Sequence, residues 1–487
     1  MGIPQSNRAI QNLGIQSAAG TDPTASYQLG VDTIGDFGPE VTRVARDPLS
    51  VYNQPEAGSV VDLMATATLA GDAILDHLEL LLPAAVRCAW SGPAQLVPTE
   101  ATAAPKFVVP AGGALAAGTL IRVRGCAIAA NNGIKVVDAG SDATNILITS
   151  ALTAETFTAA QGVTVEVCGF RFDTADAEID ASGHFKTTTK DLTTLGLVAG
   201  QKVWIGGATA NSFATAADRG EARIAIAPTT HLITLENRTA AYTADNGSGK
   251  AIDLYFGRTM RVVPTTSADY LERFHTTEVT HSTLNAGSAA YEYVTDGAVD
   301  TFDVTVNKVS KATFGAKLVG ATVVGPTGSR KSGFSAPIRQ NKTAAISGST
   351  DVIRGRIRSG STSLTGYVGS FTLSIGNSVT RNTALGTLGA AAITFGKVVV
   401  KLKADAFFSS MDTNTALLGN DSVTAELTLR NDDGGIAFDI TDARLGGGKR
   451  SYPTNEVVHI DLAVDANRDP VFNTSLIVSL FPYLPDA

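Results

Sequence analysis

Cysteine, histidine, tryptophan and methionine are all scarce in this chain of 487 residues, with three, six, two and four copies. The cysteines (Cys88, Cys126, Cys168) form no CxxC pair, which excludes a dithiol redox motif and a cysteine-rich zinc site. They are expected to be reduced, buried thiols of a protein assembled in a reducing cytosol. The histidines (His77, His184, His231, His275, His281, His459) are scattered and lack HExxH spacing, so they are expected on sheet surfaces and no metal site is anticipated. Aromatics are 6% of the chain, too few for a sugar-cleaving groove lined by clustered rings around paired carboxylates. Long apolar runs are missing too. The best candidate, around 78–90, is broken by Pro83 and Arg87 and falls short of the about 18 residues a spanning helix needs, so no membrane partner is expected. No secretion-type apolar core opens the chain, a mark against a surface adhesin.

Motifs for chemistry are equally thin. There is no GxSxG elbow. The glycine-rich strings 325–332 and 245–251 lack the lysine spacing or the strand–loop–helix setting of a phosphate loop, and read as turns. Asp432-Asp433 sits in no twelve-residue calcium loop and reads as a turn as well. No catalytic, cofactor-binding or metal-binding residue is therefore nominated, and no enzyme is expected. Charged residues are only 17% and sum to −8, the wrong overall sign for gripping nucleic acid through counterion release.

What is present is apolar material (44%), 48 glycines, and runs of Thr, Val, Ala and Ser in period-two alternation. Short strands with frequent turns produce that profile. In 61–69, Val61, Leu63, Ala65, Ala67 and Leu69 fall on one face and Asp62, Met64, Thr66 and Thr68 on the other. A helix follows from Gly71-Asp72, with Ile74, Leu78, Leu81 and Leu82 in one stripe that Pro83 is expected to end. Asp433-Gly434 signals a hairpin.

The chain also repeats itself. Thr33-Ile34-Gly35-Asp36, Val41-Thr42-Arg43 and Val60–Ala65 return as Ser374-Ile375-Gly376-Asn377, Val379-Thr380-Arg381 and Val399–Ala404, at offsets of 341, 338 and 339 residues. A shorter helix is expected after Ala404, capped by Asp405 and carrying Phe407, Phe408 and Met411. The hairpins 302–324 and 423–440 then follow. A second repeat of four short strands lies inside the first copy, at 117–167 and 199–254. The expected organisation is mainly β. It has a first unit (1–94 plus 256–334), two inserted β-barrel or sandwich modules (95–178 and 179–255), and a second unit (335–487).

Leu429–Gly435, Gly446-Gly447-Gly448, Tyr452–Glu456, Arg468-Asp469-Pro470 and Phe481-Pro482-Tyr483, with the N-terminal strand, loop, strand and helix, resemble tail tube proteins of long non-contractile bacteriophage tails. The resemblance spans about 1–90 and 255–487 and leaves the inserts unexplained. It implies two tandem β-sandwich domains, each with a flanking helix, in a structural virion protein of the phage tail, assembled in the host cytoplasm. Copies would polymerise into stacked rings, a channel for DNA ejection. Because family rings present six tube domains, two per chain imply a trimeric, pseudo-hexameric ring, the alternative being a true hexamer. Implied partners are the chain itself, a tape-measure protein and transiting DNA in the lumen, and tail terminator and tail-tip proteins. Asp62, Thr66, Thr68, Lys401 and Lys403 are the candidate lumen-facing residues, on a wall expected to be predominantly acidic. Arg43, Arg46, Tyr52 and Asn53, in an expected loop at 43–58, and the arm 1–26 are the candidate inter-ring contacts. The inserts are expected to project outwards. A capsid-decorating or adhesin-type β protein is the alternative reading.

Overall fold

A computed structural model describes residues 8–46, 56–158, 161–236, 241–247, 249–285, 287–340 and 343–485. Strands dominate, and two α-helices occur among the described residues, Leu75–Val86 and Asp412–Gly419.

Two series of strands share one connectivity. In the first, Ile10–Gln16 pairs with Phe274–Asn285, which pairs with the start of Ser288–Asn307. The far half of that long strand pairs with Thr313–Gly320, then Glu56–Asp72, then Thr33–Arg46. In the second, Val352–Ser359 pairs with Ser422–Asn431, which pairs with the start of Gly434–Ser451. Its far half leads to His459–Ala466, then Val399–Phe407, then Val368–Gly376. Every ladder of these two series is antiparallel. The counterpart of the hairpin 423–440 is thus Phe274–Asn285 with Ser288–Asn307, one strand earlier than sequence spacing suggests. The repeated blocks are not in register either, since Thr33 pairs with Ala70 whereas Ser374 pairs with Lys401. A bulge between Ile34 and Phe37 contributes to the difference.

The two series share one core. Ala65, Ala67, Leu69, Phe302, Val304, Phe314, Leu318, Phe371, Leu373, Ile375, Val400, Leu402, Leu462 and Val464 all point into it. The first helix closes one side, with Leu75, Leu78, Leu81 and Leu82 buried. Pro83 does not end it. Proline cannot donate to the carbonyl four residues back, but the indole Nε1 of Trp90 donates to Glu79 O at 3.0 Å and replaces that bond. The helix stops at Arg87, which is left-handed (φ 58°), with Cys88 N–H donating to Pro83 O. The second helix begins at Asp412, later than expected, because Asp405 stays in its strand and accepts from His459 Nδ1 at 2.9 Å. Of the predicted helical residues, Phe407 is the last of that strand, while Phe408 and Met411 precede the helix.

The two inserted repeats meet where Thr164–Phe172 pairs with Ile252–Tyr255 in a nine-stranded sheet, while the strand Asn145–Leu147 of the first repeat belongs to a separate four-stranded sheet, and one core (Phe107, Phe172, Phe185, Phe213) serves both.

Two further corrections concern buried polar residues. Segment 8–26, expected as a free arm, holds the strand Ile10–Gln16, with Gln11 and Asn12 buried. Its polar side chains are matched from within: Asn12 Nδ2 donates to Glu278 at 2.7 Å and Gln16 Nε2 to Asp296 at 2.7 Å. Residues 1–7 lie outside the described residues. Likewise His77 and His275 are buried, not superficial. His77 Nε2 accepts from Gly30 N–H, joining the helix to the sheet. All three cysteines are buried and unpaired.

Candidate functional site

The first functional feature is the joint between the two strand series. The outer edge of Ser288–Asn307 pairs with Val368–Gly376 over seven consecutive positions, from Thr301 opposite Gly376 to Asn307 opposite Ser370. The two strand series are thereby joined into a single sheet, because each supplies the ladder partners that the other's edge needs. Asn377 locks the joint: fully buried, its Nδ2 donates to Ala85 O at 3.1 Å and Val299 O at 2.9 Å. Its own N–H donates to Asp300 O, and Asp300 Oδ1 accepts from Val379 N–H. The loop after Asn377 then folds back onto the first series, where Arg381 donates to Asp62 Oδ1 at 3.0 Å and to Leu63 O. That guanidinium holds the Asp62 carboxyl below its ordinary pKa.

The second feature is the sheet face opposite the core. Period-two alternation places Asp62, Thr66 and Thr68 on it, beside Lys317, Thr301, Asp303 and Thr305. Across the joint the same face continues through Thr372, Ser374, Lys401, Lys403, Asp405, Asp461 and Asp465. All five sequence-nominated face residues therefore share one surface of small polar side chains. Among these residues five carboxylates (Asp62, Asp303, Asp405, Asp461, Asp465) accompany three lysines (Lys317, Lys401, Lys403), so the face carries mixed charge with carboxylates in the majority. Lys401 Nζ lies 3.2 Å from Asp465, whereas Asp405 stands opposite Asp461.

The third feature is a projecting hairpin. Thr33–Arg46 and Glu56–Asp72 stay paired from Thr33↔Ala70 out to Arg46↔Glu56, while the ladder to Thr313–Gly320 stops at Ala65. Val41, Val44, Val60 and Val61 are exposed along it. Arg43 and Arg46, expected in a loop, are strand residues here. Tyr52 and Asn53 lie outside the described residues.

Sequence reasoning missed a fourth feature, a buried charge cluster. The insert does not stand clear of the body but lies against the outer face of the second strand series. Lys202, fully buried, approaches Glu221 at 3.0 Å, Asp439 at 3.6 Å and Glu426. Arg223 holds Asp439 at 3.0 Å, Arg354 lies 3.4 Å from Glu221, and Arg356 pairs with Glu426. Burial alone would raise the pKa of Glu221 and Asp439. Lys202 outweighs it, with Arg354 and Arg223, and holds both carboxyls below their ordinary range. Burial depresses Arg356 to about 10. Trp204, Tyr255, Ala437, Phe481 and Leu484 pack beside the cluster. Only the strand Lys202–Ile205 was legible, and nothing local to it names carboxylates more than two hundred positions away.

Among the described residues no group of three or more His, Cys, Asp or Glu could hold a metal ion, and no helix is long and apolar enough to cross a membrane. No curated protein matches the chain. The profile of the family described as phage tail tube protein matches residues 6–466, and so nearly the whole chain, inserts included. Its members are structural proteins of the virion tail, and the mainly β architecture agrees with that. On this match the chain belongs to the phage tail tube protein family.

Proposed function

We propose that copies of this chain close into threefold rings that stack as the phage tail tube, a conduit for DNA during ejection. The observation carrying the reading is the internal joint: one chain already holds two strand series edge to edge in a continuous sheet with one apolar and one polar face. Three such chains offer six units to a ring, and a heterologous contact on a closing rotation gives a ring rather than an open filament. The face bearing Asp62, Thr66, Thr68, Lys401 and Lys403 lines the lumen. There, mixed charge with carboxylates in the majority gives no positive field to seize phosphate as DNA or a tape-measure protein passes. The projecting hairpin with Arg43 and Arg46 reaches the next ring, where its exposed valines become covered. The inserted sheet lies on the outside. Assembly takes place in the host cytoplasm, and tail terminator and tail-tip proteins cap the two ends. No side chain is assigned a catalytic role. Electron microscopy of the purified protein tests this: stacked rings or tubes with a central channel are expected, and a dispersed monomer at high concentration would refute it.

A further inference from the structure

The internal joint has a matching vacant edge at each end of the sheet. The far half of Ser288–Asn307 is covered by Val368–Gly376, whereas 445–451 of the strand Gly434–Ser451 bonds only to His459–Ala466 among the described residues. At the other end, Thr33–Arg46 bonds only to Glu56–Asp72 among the described residues. These two edges occupy corresponding places in the two series, one as donor of a joint and one as acceptor.

We propose that the edge 446–453 of one chain pairs antiparallel with the edge 33–40 of the next, repeating the internal joint between chains in a defined register. This rests on the ring reading above and deepens it. The register follows from the ladders. The rung Thr305–Thr313–Asp72 corresponds to Ser451–His459–Phe407, so Thr301 maps onto Gly446 and Asp303 onto Lys449. On the other side, Ser370 and Gly376 map onto Thr33 and Glu40 through their partners Asp405 and Val399. Substituting into the internal pairs sets Gly446 opposite Glu40, Lys449 opposite Gly38, and Pro453 opposite Thr33.

Side-chain chemistry agrees with that register. Glu40 and Lys449 are exposed in the single chain and become diagonal neighbours of opposite charge on the polar face. Gly446 and Gly38 carry no side chain to hold the strands apart, and Gly38 takes φ +117°, which favours glycine. Tyr452, 72% exposed, falls opposite Ile34 on the apolar side, where the internal joint buries Val306 and Phe371. The seam is not a copy of the joint in one respect. The Asn377 lock spans Ala85 and Val299 through amide donors, and the corresponding residue of the first series, next after Glu40, is Val41, which offers no side-chain donor. The seam between chains is therefore the weaker of the two.

The test bridges Glu40→Cys and Gly446→Cys in assembled full-length protein with dibromobimane. Gly446 has room for a Cβ, which would meet Ala463 only at ordinary contact distance, and the native cysteines are buried. Denaturing gels should show a ladder ending at three chains, with severalfold less bridging for the out-of-register pair Thr42→Cys with Gly446→Cys. In parallel, Lys449→Glu should abolish rings while leaving the thermal transition of the monomer unchanged, and adding Glu40→Lys should restore them. Rings in micrographs without in-register bridging, or rings unaffected by Lys449→Glu, would overturn the seam and leave the ring reading intact. Absence of rings from the wild-type chain would overturn both.

Discussion

Glu278 and Glu426 occupy corresponding strands in the two series and are each nearly fully buried, yet quite different parts of the chain neutralise them. Glu278 sits opposite Asn12 and Tyr293 and accepts from both, and Arg330 of the following segment closes the site at 2.6 Å. Everything it needs lies within its own series. Glu426 sits opposite Arg356 and Asp439, so that one arginine faces two carboxylates across these rungs. The insert delivers Lys202 and Arg223 to them together with a further carboxylate, Glu221. One series thus neutralises its buried glutamate locally, while the other shares its buried charges with an insertion carried by its twin, and the insert's docking is expected to stabilise the second series.

That contrast can be broken at several points. The largest effect is expected for Lys202→Met, which removes the buried cation that Glu221, Glu426 and Asp439 share. Losing one partner of a buried pair costs about 3–5 kcal/mol, and the denaturant midpoint should fall accordingly, with the insert exchanging amide hydrogens before the body does. His275 gives the next effect and belongs to the first series alone. Burial, followed by the charge of Arg273, pushes its pKa down to about 3. The folded chain holds it neutral while the unfolded chain protonates it below about 6.5. Stability should therefore fall as pH drops from about 6.5 towards 3, by about 1.4 kcal/mol per pH unit from this residue. His275→Leu should remove that part of the slope in unfolding curves at successive pH values.

Arg330→Met is the direct counterpart of Lys202→Met and should cost less, about 1–2 kcal/mol, because Glu278 keeps three neutral donors (Asn12, Thr280 and Tyr293) and the arginine is partly exposed. If both substitutions proved equally damaging, the asymmetry between the series would be wrong. The smallest effect is expected for Asp62→Ala. Hydrogen exchange in the loop after Asn377 should quicken through loss of Arg381, without a measurable shift in the global midpoint.

How far this was readable from sequence differs by feature. Alternation exposed the strands and the polar face, because Asp62, Thr66, Thr68, Lys401 and Lys403 obey a two-residue period that burial also obeys. The first helix was legible in its apolar stripe, but Pro83 was misread, since the bond that spares it comes from Trp90. Gln11, Asn12 and Gln16 read as a polar arm because their partners Glu278 and Asp296 are distant in sequence. The same holds for His275 and for Lys202. The joint at Thr301–Asn307 was not legible, since an edge strand and an interior strand carry the same alternation.

The mass of one axial repeat of the assembled tube, obtained by electron cryomicroscopy or by mass per length, tests the account most directly. Three chains per ring, with an apparent sixfold that resolves to threefold where the inserts lie, is the predicted result. Six chains per ring, or one strand series facing away from the channel, would contradict it.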